Sequence, residues 1–187
     1  MQASGDVPDQ MLIDGCLAGR SDMYEVLVLR HQSKVFNVLY RFFGNYEASQ
    51  DISQETFLTA YRKLGMFSGR SAFSSWLCQI ALNKARDLLR SNGVSSLCDD
   101  LEDHVDGLAA TDATQPDHQM QQGQLHDRIQ SVLNRMPPNY REVLILKHLE
   151  EHSNEDIASM LDDTIDNVKV RTFRARQMFK KLYGELT

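Results

Sequence analysis

The chain has 187 residues, 42% of them hydrophobic and 25% charged, with a formal net charge of −6. That balance fits one soluble globular domain or two small ones and excludes both wholesale disorder and a fibrous repeat. The longest aliphatic runs, Val26 to Leu29 and Val143 to Leu146, fall far short of the roughly 20 residues a membrane span needs.

The N-terminal stretch "MQASGDVPDQ" lacks the basic and apolar blocks of a signal peptide, so a cytoplasmic protein without membrane insertion is expected. Apolar residues recurring at intervals of three and four predict helices near 8–18, 21–42, 46–64 and 71–91, then near 123–135, 138–150, 153–161 and 165–182. No stretch reads as a strand. The fold class is all-α, with two small helical domains. Cys16, Cys78 and Cys98 have no C-x-x-C spacing and read as reduced small hydrophobes, Cys98 being the exposed one.

Charge is distributed in blocks. Residues 20–90 hold ten Lys/Arg against six Asp/Glu, residues 91–125 hold none against seven, and residues 126–187 hold ten against ten. In the first block, "EASQDISQETFLTAYRKL" puts Asp51, Gln54, Glu55, Leu58 and Arg62 on one helix side and Phe57, Ala60 and Leu64 on the other. The apolar side is core. The polar side is solvent-facing surface or a protein-docking face with Leu58 as its apolar contact, and periodicity does not choose between them.

Next, "GMFSGRSAFSSWLCQIALNKARDLLR" reads as a Gly-bounded loop and a helix that buries Phe73, Leu77, Ile80, Ala81 and Leu88. Gln79, Asn83, Arg86 and Arg90 line its other side, with Trp76 beside them. An aromatic next to amide and guanidinium groups suits unpaired bases and phosphates, although Trp76 is equally at home in a core. The middle block has no Lys or Arg from Ser91 to Asp127 and the least hydrophobic periodicity, so it reads as a flexible acidic linker. It is either a solvated spacer or a polyanionic interaction segment.

The last two helices form a helix-turn-helix pattern. Ser153 and Asp156 make a capping-box variant, and Ile157, Ala158 and Leu161 form the buried stripe. Asp162 and Asp163 make the turn, and Thr164 caps the second helix. Asp162 stands where such turns favour glycine, a position Asp tolerates better than most residues. At about 100° per residue, Val168, Thr172, Ala175, Phe179 and Leu182 share the inward face of the second helix. Asp166, Val170, Phe173 and Gln177 point outward between Lys169, Arg171, Arg174, Arg176, Lys180 and Lys181. Apolar side chains between cationic flanks fit a DNA groove, with cations to the phosphates and Val170 and Phe173 to base edges. The alternative is a solvated basic helix.

Taken in order, "DISQETFLTAYRKL", "FSGRSAFSSWLCQIALNKARDLLR", "MPPNYREVLILKHLEEHSNEDIASML" and "NVKVRTFRARQMFKKL" resemble the extracytoplasmic function (ECF) sigma factors. The resemblance spans nearly all of the chain except the linker. It implies a region 2 four-helix domain over residues 1–92, a linker over 93–122 and a region 4 helix-turn-helix domain over 123–187. By that resemblance Asp51, Gln54, Glu55 and Leu58 dock on the β′ clamp helices of core RNA polymerase, and the β flap is a further polymerase contact.

The resemblance also implies that Phe67, Ser68, Gly69, Arg70 and Ser71 trap a flipped base of the minus-ten element, with Trp76, Gln79, Asn83, Arg86 and Arg90 beside it. It gives the minus-thirty-five element to Asn167, Lys169, Val170, Arg171, Phe173, Arg174, Arg176 and Gln177. An anti-sigma partner, in some family members membrane-anchored, is implied as well, and the family's linker threads into the polymerase. Asp162, and Val170 where the family often has Ser, are departures that bear on which promoter bases are read.

No catalytic constellation competes, and neither a cofactor nor a metal is expected. His31, His104, His118, His126, His148 and His152 are scattered without metal-ligand spacing and read as surface or linker residues. Two other classes stay in view: a dimeric helix-turn-helix regulator with a sensor domain, and an interaction module without DNA contact. A sensor domain has no need of the Asp51 face and the Trp76–Arg90 stripe. An interaction module leaves the six-cation helix without a purpose.

Overall fold

A computed structural model of the chain describes residues 7–91 and 120–186. Most of the linker, with Cys98, His104 and His118, lies outside the described residues. The elements are α1 (Asp9–Leu17), α2 (Asp22–Phe43), α3 (Tyr46–Arg62), a 3-10 turn (Leu64–Met66), α4 (Phe73–Ser91), α5 (Met120–Arg135), α6 (Pro138–His148), α7 (Asn154–Leu161) and α8 (Ile165–Gly184). No strand occurs among the described residues.

Local chemistry accounts for the breaks. Gly44 ends α2 in the left-handed region at φ 65, which glycine adopts without cost, and the Asn45 side chain then accepts from the Ala48 N–H to start α3. Helix α3 stops two residues before its expected end because Leu64–Met66 tightens into the 3-10 turn.

In the first domain α2, α3 and α4 pack on one another, with α1 laid against α2. Leu27, Leu39, Phe42, Ala60, Leu77 and Ala81 are fully buried between them. In the second, α8 packs on α5, α6 and α7 around Val143, Ile145, Ile157, Val168 and Ala175. Each fully buried Val, Leu, Ile or Phe side chain contributes about 1.5 to 3 kcal/mol.

The two domains also pack on each other, α2 against α5 and α6, and α4 against α7. Cys78, Leu82 and Ala85 are fully buried although the expected core stripe of α4 omitted them, while Ile80 and Leu88 are only half-buried: α4 packs on α2 and α3 as well as on α7. Burial, and secondarily the Glu150 charge, pushes the Cys78 thiol up to about 12.

Polar contacts pin the boundary. Arg141 of α6 donates to the Phe42 carbonyl at the C-terminal end of α2, as well as to the Asn134 and Met136 carbonyls at 2.9 and 2.8 Å. Gln130 Nε2 reaches the Arg41 carbonyl at 3.2 Å, and Lys34 Nζ lies 3.2 Å from Glu150 Oε2. Two last-turn carbonyls of α2, those of Arg41 and Phe42, are thus met by the second domain.

Two histidines correct the expectation of surface residues. His31 is buried, with Nε2 2.7 Å from Asp9 Oδ2 and its ring edge-on to Phe73. His152 is buried at the boundary, where desolvation and then the Lys34 charge push its pKa down. Asp9, the partner that makes burial of His31 tolerable, lies on another helix, out of reach of local periodicity.

Candidate nucleic-acid interface

The helix-turn-helix is built by its caps. Ser153 Oγ accepts from the Asp156 N–H at 3.0 Å while Asp156 Oδ2 accepts from the Ser153 N–H at 3.2 Å, so two orphan donors are satisfied reciprocally. Asp162 adopts φ 54 and ψ 49, the left-handed geometry expected of a glycine there. Thr164 Oγ1 accepts from the Asn167 N–H at 3.2 Å and opens α8.

Asp163 Oδ1 takes the Thr164 N–H at 2.7 Å and Asn167 Nδ2 at 2.9 Å. Burial opposes ionisation of Asp163, but hydrogen bonds from Asn167, Arg171 and the Thr164 N–H outweigh it and hold the carboxyl below its ordinary range. The side chain of Asn167, a candidate base contact, is therefore turned toward the loop.

On α8 the inward face is as expected for Val168, Thr172, Ala175 and Leu182, all buried, while Phe179 is half-buried and stacks on Tyr183. Val170 is 50% and Phe173 62% exposed. Lys169, Arg174, Arg176, Gln177, Lys180 and Lys181 surround them in solvent. Lys169 makes a surface pair with Asp166 at 3.1 Å, a contact worth little.

Arg171 differs from its neighbours. Its Nη2 donates to Glu142 Oε1 and to the Asn139 carbonyl, both at 2.7 Å, and its Nη1 donates to Asp163 Oδ2 at 2.8 Å. It is a strut between α6, the turn and α8, not a free flank cation. Burial pushes the Glu142 carboxyl above its ordinary range, and Arg86 and Arg171 pull it back. The helical wheel placed Arg171 on a flank but carried no information about a carboxylate on another helix.

In the first domain Asp51, Gln54, Glu55 and Leu58 share the exposed side of α3, opposite buried Ile52, Thr56, Phe57 and Ala60. Leu58 is 58% exposed, and Glu55 Oε2 sits 3.1 Å from Lys84 Nζ of α4. Of the loop before α4, Ser68, Gly69, Arg70 and Ser71 are exposed, and Gly69 has φ 70. Phe67 folds back, its ring centroid 5.3 Å from Trp76 and 5.4 Å from Phe73. Trp76 is half-buried, so one part of it is packed and another is open to solvent.

On α4, Asn83 and Arg90 are exposed and Gln79 and Arg86 half-buried. Gln79 Nε2 donates to the Ser159 carbonyl of α7 at 3.3 Å, Arg86 donates to Asn83 Oδ1, and Arg86 Nε faces Glu142 Oε2 at 3.7 Å. A polar cavity of about 600 Å³ separates Asn83, Arg86 and Arg90 from Ser159 and Asp162. The amide and guanidinium face of α4 therefore looks across at the second domain, an arrangement no reading of α4 alone contains. No group of three His, Cys, Asp or Glu among the described residues is placed to hold a metal ion, and no described helix is long and apolar enough to cross a membrane.

A capped helix-turn-helix with a cationic outer face, on the same chain as a helical unit carrying aromatic, amide and guanidinium groups, defines a DNA-binding transcription protein. Sigma-70 region 2 matches residues 27–94 and Sigma-70, region 4 matches residues 126–179. The RNA polymerase sigma-H factor of Pseudomonas aeruginosa is 32% identical over 92% of this chain and 92% of its own length. The ECF RNA polymerase sigma-E factor of Escherichia coli is 31% identical over 93% of each chain. The chain belongs to the sigma-70 family of RNA polymerase sigma factors, in its ECF branch.

Its fold is shared with solved structures. CnrH, in complex with the cytosolic domain of CnrY, superimposes with TM-score 0.70 at 24% identity over 96% of this chain and 99% of that one. The sigma factor RpoE of Bartonella quintana, in complex with the anti-sigma factor NepR, gives TM-score 0.64 at 23% identity over 87% and 96%.

Proposed function

We propose that this chain binds core RNA polymerase and directs it to specific promoters, opening the duplex at the minus-ten element. The observation that carries the reading is the order of the two sigma regions on one chain, the second presenting Val170 and Phe173 outward among solvent-exposed cations.

In this reading residues 1–92 bind polymerase and the minus-ten strand, residues 93–122 are the linker, and residues 123–187 read the minus-thirty-five duplex. Trp76, with the exposed edge left by its packing on Phe67, stacks on an unpaired base. Lys169, Arg174 and Arg176 take phosphates, while Arg171 positions the helix. The chemistry of RNA synthesis belongs to the polymerase, and the protein works in the cytoplasm beside it. An anti-sigma protein controls it, a reading supported by the solved complex of the sigma factor RpoE with the anti-sigma factor NepR.

The exposed Asp51, Gln54, Glu55 and Leu58 face docks on the polymerase clamp helices, and Glu55→Lys tests it. Glu55 has a side chain 60% exposed and one surface partner, Lys84. Losing such a pair costs folding at most about 1 kcal/mol. A reversed charge inside an interface weakens association roughly tenfold or more. In a titration against purified core polymerase, Glu55→Lys is expected to lose affinity on that scale with helicity by circular dichroism unchanged. Unaltered affinity removes the assignment.

A further inference from the structure

The loop given to the minus-ten base is closed by two rings. Phe67 opens it and Phe73, the first residue of α4, ends it; their centroids are 5.4 Å apart and their planes nearly perpendicular. Residues 68–72, between them, are all exposed. Trp76, one turn into α4, completes the cluster at 5.3 Å from Phe67 and 5.7 Å from Phe73. Rings at these separations attract one another, so the cluster holds the two ends of the loop together.

Phe73 also meets a fourth ring, from a different helix. His31 of α2 stands edge-on to it at 5.5 Å, and both side chains are buried. His31 is in turn oriented from α1: its Nε2 lies 2.7 Å from Asp9 Oδ2, while Asp9 Oδ1 takes the Arg30 guanidinium. A carboxylate paired with a guanidinium only accepts, so His31 Nε2 carries the hydrogen, and the bond fixes which way the ring turns. Helix α1 reaches the loop directly as well. It packs on the 3-10 turn, and a side-chain carbon at Gly69, where φ is 70, would stand 3.4 Å from Gln10 Oε1.

A line of contacts therefore runs from a carboxylate on α1, through an imidazole on α2 and a phenyl ring at the start of α4, to the indole given to an unpaired base. We infer that Asp9 and His31 are positioning residues for base capture: through Phe73 they hold the loop closed and Trp76 in its stacking orientation, so that α1 governs strand opening and not the initial hold on duplex. The inference rests on the reading of α4 and its loop as the minus-ten surface. A pocket that is already ordered loses none of the binding energy of stacking to its own immobilisation.

Four variants of the full chain separate this route from ordinary packing. Asp9→Ala removes the acceptor. His31→Gln removes the ring but keeps an amide donor, and His31→Phe keeps a ring without the donor. Arg30→Gln breaks the other half of the Asp9 contacts and leaves His31 in place. Trp76 is the only tryptophan of the chain, so its emission and its quenching by acrylamide report on the cluster. With core polymerase, initial binding to a promoter duplex and strand opening are measured separately, the second by permanganate reactivity. The duplex is one that is transcribed only when the original chain is present.

Asp9→Ala and His31→Gln are expected to raise acrylamide quenching and to cut opening about three- to tenfold, the factor an aromatic contact is worth, with initial binding and helicity unchanged. His31→Phe should recover most of the opening lost in His31→Gln. Arg30→Gln should stay within about twofold of the original chain, because a partly exposed pair contributes little. Equal loss in Arg30→Gln would make Asp9 a tether for α1 and overturn the route through His31, as would His31→Phe opening no better than His31→Gln. Lost helicity, a parallel fall in initial binding, or unchanged opening in Asp9→Ala and His31→Gln also overturns it.

Trp76→Ala tells those failures from failure of the reading beneath them. If Trp76→Ala impairs opening while the Asp9 and His31 variants do not, the inference falls and the α4 reading stands. If Trp76→Ala leaves opening unchanged, the α4 reading falls and the inference with it.

Discussion

Replacing Arg171 with alanine is expected to destabilise the second domain by about 3 to 5 kcal/mol, the cost of breaking a buried ion pair from one side. The guanidinium donates to Glu142, Asp163 and the Asn139 carbonyl, and the Glu142 side chain is only 3% exposed. Without it, Glu142 keeps only Arg86, 3.7 Å away and on the other domain. Domains of this size have about 5 to 15 kcal/mol in all, so the loss is large. Urea unfolding followed by circular dichroism measures it. DNA binding should fall at every salt concentration because less protein is folded, while the slope of log affinity against log salt stays where it was. A slope reduced by about one unit with unchanged stability would make Arg171 a phosphate contact after all.

The solvent-facing residues of α8 should behave in the opposite way. Arg174 and Arg176 are exposed and form no salt bridge among the described residues. Alanine at either should leave stability within about 0.5 kcal/mol, weaken duplex binding for all sequences, and flatten the salt dependence by roughly 0.9 of a unit. Phe173 is 62% exposed and uncharged. Phe173→Ala should keep both the stability and the salt slope, and relax discrimination at one or two base pairs by about 1 to 3 kcal/mol. A panel of single-base variants of the upstream element, titrated at several salt concentrations, separates the two behaviours. A sharp fall in melting temperature for Phe173→Ala would mean that its ring packs inside the protein.

Features carried by neighbours in the chain were legible from the sequence. The helices at 22–43, 73–91 and 165–184 lie within two residues of their expected ends because apolar periodicity acts over three or four positions, and Ser153 and Thr164 cap α7 and α8 where the sequence placed them. The inward and outward faces of α8 follow from the same short-range geometry. The left-handed turn at Asp162 was legible too, since two helices joined so closely require it.

What was not legible depends on residues far apart in the chain. Arg171 looked like one of six flank cations because its partner Glu142 lies 29 positions away, and His31 looked like a surface residue because Asp9 lies 22 positions away. The face of α4 looked open because Ser159, 80 positions on, is what covers Gln79. Each of these is a polar contact between helices, where hydrophobic patterning carries no signal.

The most direct test of the whole account is transcription with purified components. Core RNA polymerase is given a pool of duplex fragments with randomised upstream and minus-ten positions, with and without this chain, and the transcribed templates are sequenced. The account predicts transcripts that appear only when the chain is present, from templates sharing two sequence elements. The Glu55→Lys chain should yield few transcripts from the same templates, and the Phe173→Ala chain a relaxed upstream element. Identical template usage with and without the chain would contradict the account, as would selective binding to one duplex site by the chain alone with no effect on the polymerase.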